Sequence, residues 1–92
     1  MAEAQFQTKH PAGKTGRSIS REKYDAVKDA MVAILRGREL THTELMSALR
    51  QKLEKGFDGN VSWYGETVKL DLEARKTLER TDSKPQRYRL RG

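Results

Sequence analysis

The stretch Thr77-Leu78-Glu79-Arg80-Thr81-Asp82-Ser83-Lys84-Pro85-Gln86-Arg87-Tyr88-Arg89-Leu90-Arg91 decides the fold. Thr77–Arg80 reads as a strand, Asp82–Pro85 as a polar turn, and Gln86–Arg91 alternates strictly. Tyr88 and Leu90 point one way, while Arg87, Arg89 and Arg91 point the other. Two strands joined by a short turn make a hairpin. A lone hairpin is marginal in water, so its Tyr88/Leu90 face must pack on something. The partners lie upstream, where the apolar period changes from two to 3.6.

Immediately before the hairpin, Ser62 is placed to cap a helix running to about Arg75 or Lys76. Tyr64, Val68 and Leu72 form one apolar row, and Trp63, Leu70 and Ala74 form another beside it, giving a broad buried arc. Glu66, Lys69, Glu73 and Lys76 cover the opposite face. Further upstream, Thr41 and Glu44 form a capping box for a second helix. That helix carries Leu45, Met46, Leu49 and Leu53 on one side and is stopped by Gly56. Phe57 returns to the core, and Asp58-Gly59-Asn60 is a turn. The first helix starts at Ser20, an N-cap with Ile19 stapled to Tyr24. It buries Tyr24, Val27, Met31, Ile34 and Leu35, and Gly37 ends it. Arg38–Thr41 is a short extended link. Residues 1–18 are polar, rich in Gly and Lys, and without periodicity. They read as a flexible basic arm ahead of a single domain over residues 19–92.

Composition bounds the rest. The chain has 92 residues, enough for one domain with one modest core. It has no cysteine, so disulfides and thiolate metal sites are excluded. No apolar run reaches the roughly 20 residues of a membrane span, and the first residues do not form a secretory signal. The simplest expectation is a cytoplasmic protein with no membrane partner. The net charge is +6, and its distribution is uneven. Residues 1–21 hold four basic side chains and one acid, and residues 75–92 hold seven and two. The middle holds eight and ten. Basic ends on a neutral body attract polyanions.

The order helix, short strand, helix, helix, hairpin is similar to the winged helix-turn-helix family, an α+β fold of three helices with a C-terminal wing. Leu40-Thr41-His42-Thr43-Glu44-Leu45 resembles the family's lead-in to its second helix. Leu72-Glu73-Ala74-Arg75-Lys76-Thr77-Leu78-Glu79-Arg80 resembles its passage from the third helix into the wing, with Lys76 where many members carry glycine. The resemblance implies a helix-turn-helix made by the second and third helices, with the third entering the DNA major groove. His10-Pro11-Ala12-Gly13-Lys14, Lys23-Tyr24-Asp25-Ala26 and Thr67-Val68-Lys69-Leu70-Asp71-Leu72-Glu73-Ala74 resemble a group of short bacterial proteins to which no activity is attached. That likeness covers about residues 10–81 and implies the same architecture.

Enzyme chemistry finds little support. His10 and His42 stand alone, and no cluster of ligands suggests zinc or another metal. Gly13-Lys14-Thr15 resembles the end of a phosphate-binding loop, yet Thr8 stands where that motif needs glycine. Asp71 and Glu73, two apart on a helix, face different ways. Asp71 instead suits an ion pair with Arg75, four residues on. No catalytic residue and no cofactor is expected.

Nucleic acid is the leading expected partner. The third helix alternates Glu66, Lys69, Glu73 and Lys76, a self-neutralising face unsuited to reading bases. Arm and wing make the better case. Lys14, Arg17, Lys84, Arg87, Arg89 and Arg91 are the expected phosphate contacts, with Lys69 and Lys76 as weaker ones. The alternative is a protein-interaction or homodimerising module centred on Trp63 and Tyr64.

Overall fold

The structure is a computed structural model and describes residues 4–54, 56–57 and 59–91. It begins with a hairpin rather than an arm. Strand β1 (Gln5–Lys9) pairs antiparallel with β2 (Thr15–Ser20), Phe6 opposite Ile19 and Gln7 opposite Ser18. The register then shifts, so that Gly16 and Arg17 together face Thr8. Buried Thr8 holds this bulge with its hydroxyl, which accepts from the Arg17 amide (2.7 Å) and donates to the Arg17 carbonyl (3.0 Å). A Cβ on Gly16 would lie 2.3 Å from the Thr8 carbonyl oxygen, so only glycine fits there. The irregular arm expected over residues 1–18 is therefore corrected for residues 5–18, while residues 1–3 lie outside the described residues. The hairpin is stable because its inner side has somewhere to go. Phe6 stacks on Tyr24 at 4.1 Å, and Ile19 joins the core.

Helix α1 (Arg21–Leu35) follows, with the Ser20 side chain accepting the Lys23 amide at 3.3 Å as the cap expects. Tyr24, Val27, Met31, Ile34 and Leu35 are buried along it. Strand β3 (Leu40–Thr41) leads into α2 (His42–Leu53), where the Thr41–Glu44 capping box is complete. Helix α3 (Val61–Ala74) is capped by Asn60, whose side chain accepts the Trp63 amide at 2.9 Å. Ser62, the expected cap, instead accepts from the Arg50 guanidinium. Strands β4 (Leu78–Arg80) and β5 (Arg87–Leu90) close the chain. The last strand is central in a sheet ordered β3-β5-β4, with Leu40 opposite Tyr88 and Leu78 opposite Leu90. The described residues form a small α+β domain with three helices and two antiparallel sheets.

Val27, Met31 and Leu35 of α1, Leu45 and Leu49 of α2, and Val68 and Leu72 of α3 form the centre of the core. Gly65 lets α3 approach α2 closely, since a Cβ there would sit 2.9 Å from the Met46 sulfur. The expected Trp63-Leu70-Ala74 row turns outward instead. Trp63 is 43% exposed, and the other two are only partly covered. Among the described residues, no helix is long and apolar enough to cross a membrane.

A carboxylate lies among these apolar groups. Asp71 is fully buried. It accepts from the Lys9 amide (2.8 Å), the Tyr24 hydroxyl and the Arg75 guanidinium (2.9 Å to each oxygen). The Asp71–Arg75 pair expected from spacing is present, and it is one part of a larger clamp. Removing one partner of a buried charge strands the other. Asp71→Ala should therefore destabilise the fold by about 3–5 kcal/mol, and Tyr24→Phe by about 1.5–3 kcal/mol, as read from urea unfolding at neutral pH. Burial, and then the Asp71 carboxylate, push the Tyr24 phenol well above its ordinary range. A group whose folded pKa is raised stabilises below its unfolded value and loses that contribution as pH rises toward the folded one. The stability gap between the wild type and Tyr24→Phe should accordingly narrow above about pH 10.

Candidate nucleic-acid interface

The eight expected cations divide three ways. Lys69 is the clearest departure, since it is 3% exposed and not on the solvent face. Its ammonium lies 3.1 Å from the Tyr88 hydroxyl, 3.1 Å from His42 Nδ1 and 3.7 Å from Glu66, and 4.2 Å from the Tyr88 ring centre. An ammonium can only donate, so His42 accepts through Nδ1. Position 69 sits on the flank of α3 that meets α2 and β5, where these acceptors replace water. Lys69 is thus a structural cation and cannot reach a phosphate.

Arg87 and Arg89 occupy the outer face of the three-stranded sheet, as the alternation requires, but acids face them. The Arg89 guanidinium is 2.7 Å from Glu79, its direct cross-strand neighbour, and 3.5 Å from Glu39. Arg87 is 3.9 Å from Glu44. Neighbouring Arg80 grips Glu73 of α3 at 2.6 Å. Lys84, in the β4–β5 turn, and Arg91, just past β5, are exposed and have no acidic partner among the described residues.

The third group gathers between the N-terminal hairpin and α3. Lys14 and Arg17 are exposed and have no acidic partner among the described residues. With Lys9 and His10 they form one wall of a cleft of about 570 Å³. Trp63, Glu66, Thr67 and Leu70 of α3 form the facing wall, where the Glu66 carboxylate is already engaged by His42 and Lys69. A second cleft, of about 420 Å³, shares Lys9, His10 and Lys14 and extends to Ala74 and Lys76 at the far end of the helix. The turn at the hairpin tip is shaped by its own sequence. The Gly13 amide donates to the His10 carbonyl (3.0 Å), the Ala12 amide to His10 Nδ1 (3.1 Å), and Gly13 takes φ +79°. The expectation of an irregular arm leaves Lys9 and His10 without a role. The alternation of Phe6 and Thr8 before a Pro-x-Gly turn was the available signal.

Lys76 joins this group through the backbone. The Thr77 amide bonds the Leu72 carbonyl (2.9 Å) and the Lys76 amide the Glu73 carbonyl (3.1 Å), a Schellman termination with Lys76 at φ +67°. This is the position where the resembling family often has glycine. The Trp63–Tyr64 pair divides. Tyr64 packs against the core margin, perpendicular to Phe57, while Trp63 lies on the surface, perpendicular to Tyr64 at 4.9 Å. Among the described residues, no group of three or more His, Asp or Glu side chains could hold a metal ion.

A left-handed conformation strains any residue with a Cβ. Lys76→Gly should therefore raise stability by about 1 kcal/mol, seen as a thermal midpoint about 4–8 °C higher. Lys14→Ala and Arg17→Ala, whose side chains have no acidic partner among the described residues, should leave stability unchanged within about 0.5 kcal/mol.

No curated protein and no solved structure matches the chain. A family model does match, from Gln5 at the first residue of β1 to Tyr88 within the last strand, so the hairpin lies inside the matched region. By this match over residues 5–88, the chain belongs to the family of unknown function DUF6958.

Proposed function

We propose that the protein is a winged-helix domain that binds nucleic acid, DNA in the first instance, through phosphate contacts. The order β3-α2-α3-β4-β5, with β5 between β3 and β4, supports the winged-helix reading. One observation carries the binding reading: the side chains of Lys9, Lys14, Arg17 and Lys76 line adjoining clefts and have no acidic partner among the described residues. Lys84 and Arg91 add charge at the wing that is unpaired among the described residues. Arg87 and Arg89 contribute less, because a cation already facing a carboxylate gains less from a phosphate. Contacts of this kind give affinity with little sequence discrimination. The reading assigns no catalytic step and no cofactor.

A second reading, a protein-binding or homodimerising module, is favoured by the exposed Trp63. Its test is the solution mass of the wild type and of Trp63→Ala. A monomer in both cases, with no change on substitution, removes the homodimer.

Titration of labelled nucleic acid across salt concentrations tests the first reading. Four phosphate contacts give a log K against log salt slope of about −4 on duplex and about −3 on a single strand. The Lys14→Ala, Arg17→Ala double variant should flatten that slope by about 1.5–2. The Arg87→Ala, Arg89→Ala pair should change it less. Absence of binding at about 50 mM salt would eliminate the proposal.

A further inference from the structure

We infer that the nucleic acid is bound single-stranded, in the cleft between the hairpin and α3, with a base stacked on Trp63 and its phosphates on Lys14 and Arg17. This rests on the nucleic-acid reading above and narrows it. The outward face of α3, which a duplex would have to admit, carries Trp63, Glu66, Thr67, Leu70 and Glu73 and no cation. Both acids are engaged, Glu73 by Arg80 and Glu66 by His42 and Lys69. Base edges in the major groove are read chiefly by Arg, Lys, Asn and Gln, and that face has none.

Size argues the same way. A major groove is about 12 Å wide, and one helix with its side chains fills it. Here the hairpin lies directly against α3, tied by the bond from the Lys9 amide to Asp71. Helix and hairpin together are too broad to enter that groove side by side.

The cleft they enclose has the two features that single strands need, a cationic wall and an aromatic platform. Lys9, Lys14 and Arg17 stand on one side, Trp63, Leu70 and the already paired Glu66 on the other. Trp63 is held before any ligand arrives, since its ring sits at 84° to Tyr64, yet it remains 43% exposed. A fixed, accessible indole loses little freedom on stacking. Stacking also tolerates any base, consistent with the absence of Arg, Lys, Asn and Gln from this face.

Trp63 is the chain's one tryptophan, so its emission reports this site alone. The full chain is titrated at low salt with oligothymidylate of about 12 nucleotides, with a mixed-sequence duplex of the same length, and with polyglutamate. Oligothymidylate should quench Trp63 and bind most tightly. Trp63→Ala should weaken it by about tenfold or more, Trp63→Phe by less. The thermal midpoint of each variant is checked so that a folding defect is not read as lost binding. Duplex bound more tightly with Trp63 unquenched overturns the inference and leaves the broader reading standing. No binding of either nucleic acid overturns both. Equal quenching by polyglutamate also overturns the inference, because charge alone would then suffice.

Discussion

A carboxylate sealed inside a small domain must be surrounded by donors, and Asp71 sets much of the architecture through that requirement. Its donors come from Lys9, 62 residues away in sequence, from Tyr24, 47 away, and from Arg75, one helical turn on. No single element can supply them. The hairpin must lie across α3 and α1 must present its phenol for the charge to be tolerated, because an uncompensated buried charge costs several kcal/mol. Phe6 reinforces the arrangement, since it stacks on Tyr24 and lies 4.8 Å beneath the Arg75 guanidinium. The clamp thus fixes where the cationic wall of the cleft stands.

Helix α3 is keyed on both flanks by charge. Asp71 binds it to the hairpin and α1, and Lys69, on the other side, binds it to His42 at the start of α2 and to Tyr88 in the central strand. Between them the helix shows solvent a strip containing Trp63 and Leu70. Buried ionic groups contribute little net stability but penalise alternative arrangements in which they lose their partners. In a domain whose helices could slide along their apolar rows, these two keys favour one register.

Much of the fold was readable because it rests on local rules. The Thr41–Glu44 box, the Ser20 cap, the glycine at 37 and the alternation through Tyr88 and Leu90 act over a few residues, and each took its expected place. The errors arose where a distant partner decides the outcome. Gln5–Lys9 has only Phe6 and Thr8 as inward positions, too few to signal a strand unless Tyr24 and Asp71 are known to await them. Lys69 follows the helical period onto what looks like a polar face, and only the nearness of His42 and Tyr88 draws it inside. Trp63 departs in the opposite sense from the apolar row, because an aromatic at helical spacing resembles core until the helix rotation is known, although its exposure suits the interaction surface that is the alternative expectation. The alternation puts Arg87 and Arg89 on the outer strand face, but their neutralisation by Glu39, Glu44 and Glu79 depends on three other segments. Of the candidate site, the basic ends make Lys14, Arg17 and Lys76 legible, whereas Lys9 and His10 join it only through the hairpin.

The hairpin also bears on how the protein is handled. A boundary drawn at residue 19 from composition would discard a segment that resembles a dispensable leader. The cut would uncap Asp71, bare the ring of Tyr24 and remove one side of the cleft in a single step. Such a fragment would be a damaged fold rather than a minimal one, and its failure to bind anything would carry no information about the intact molecule.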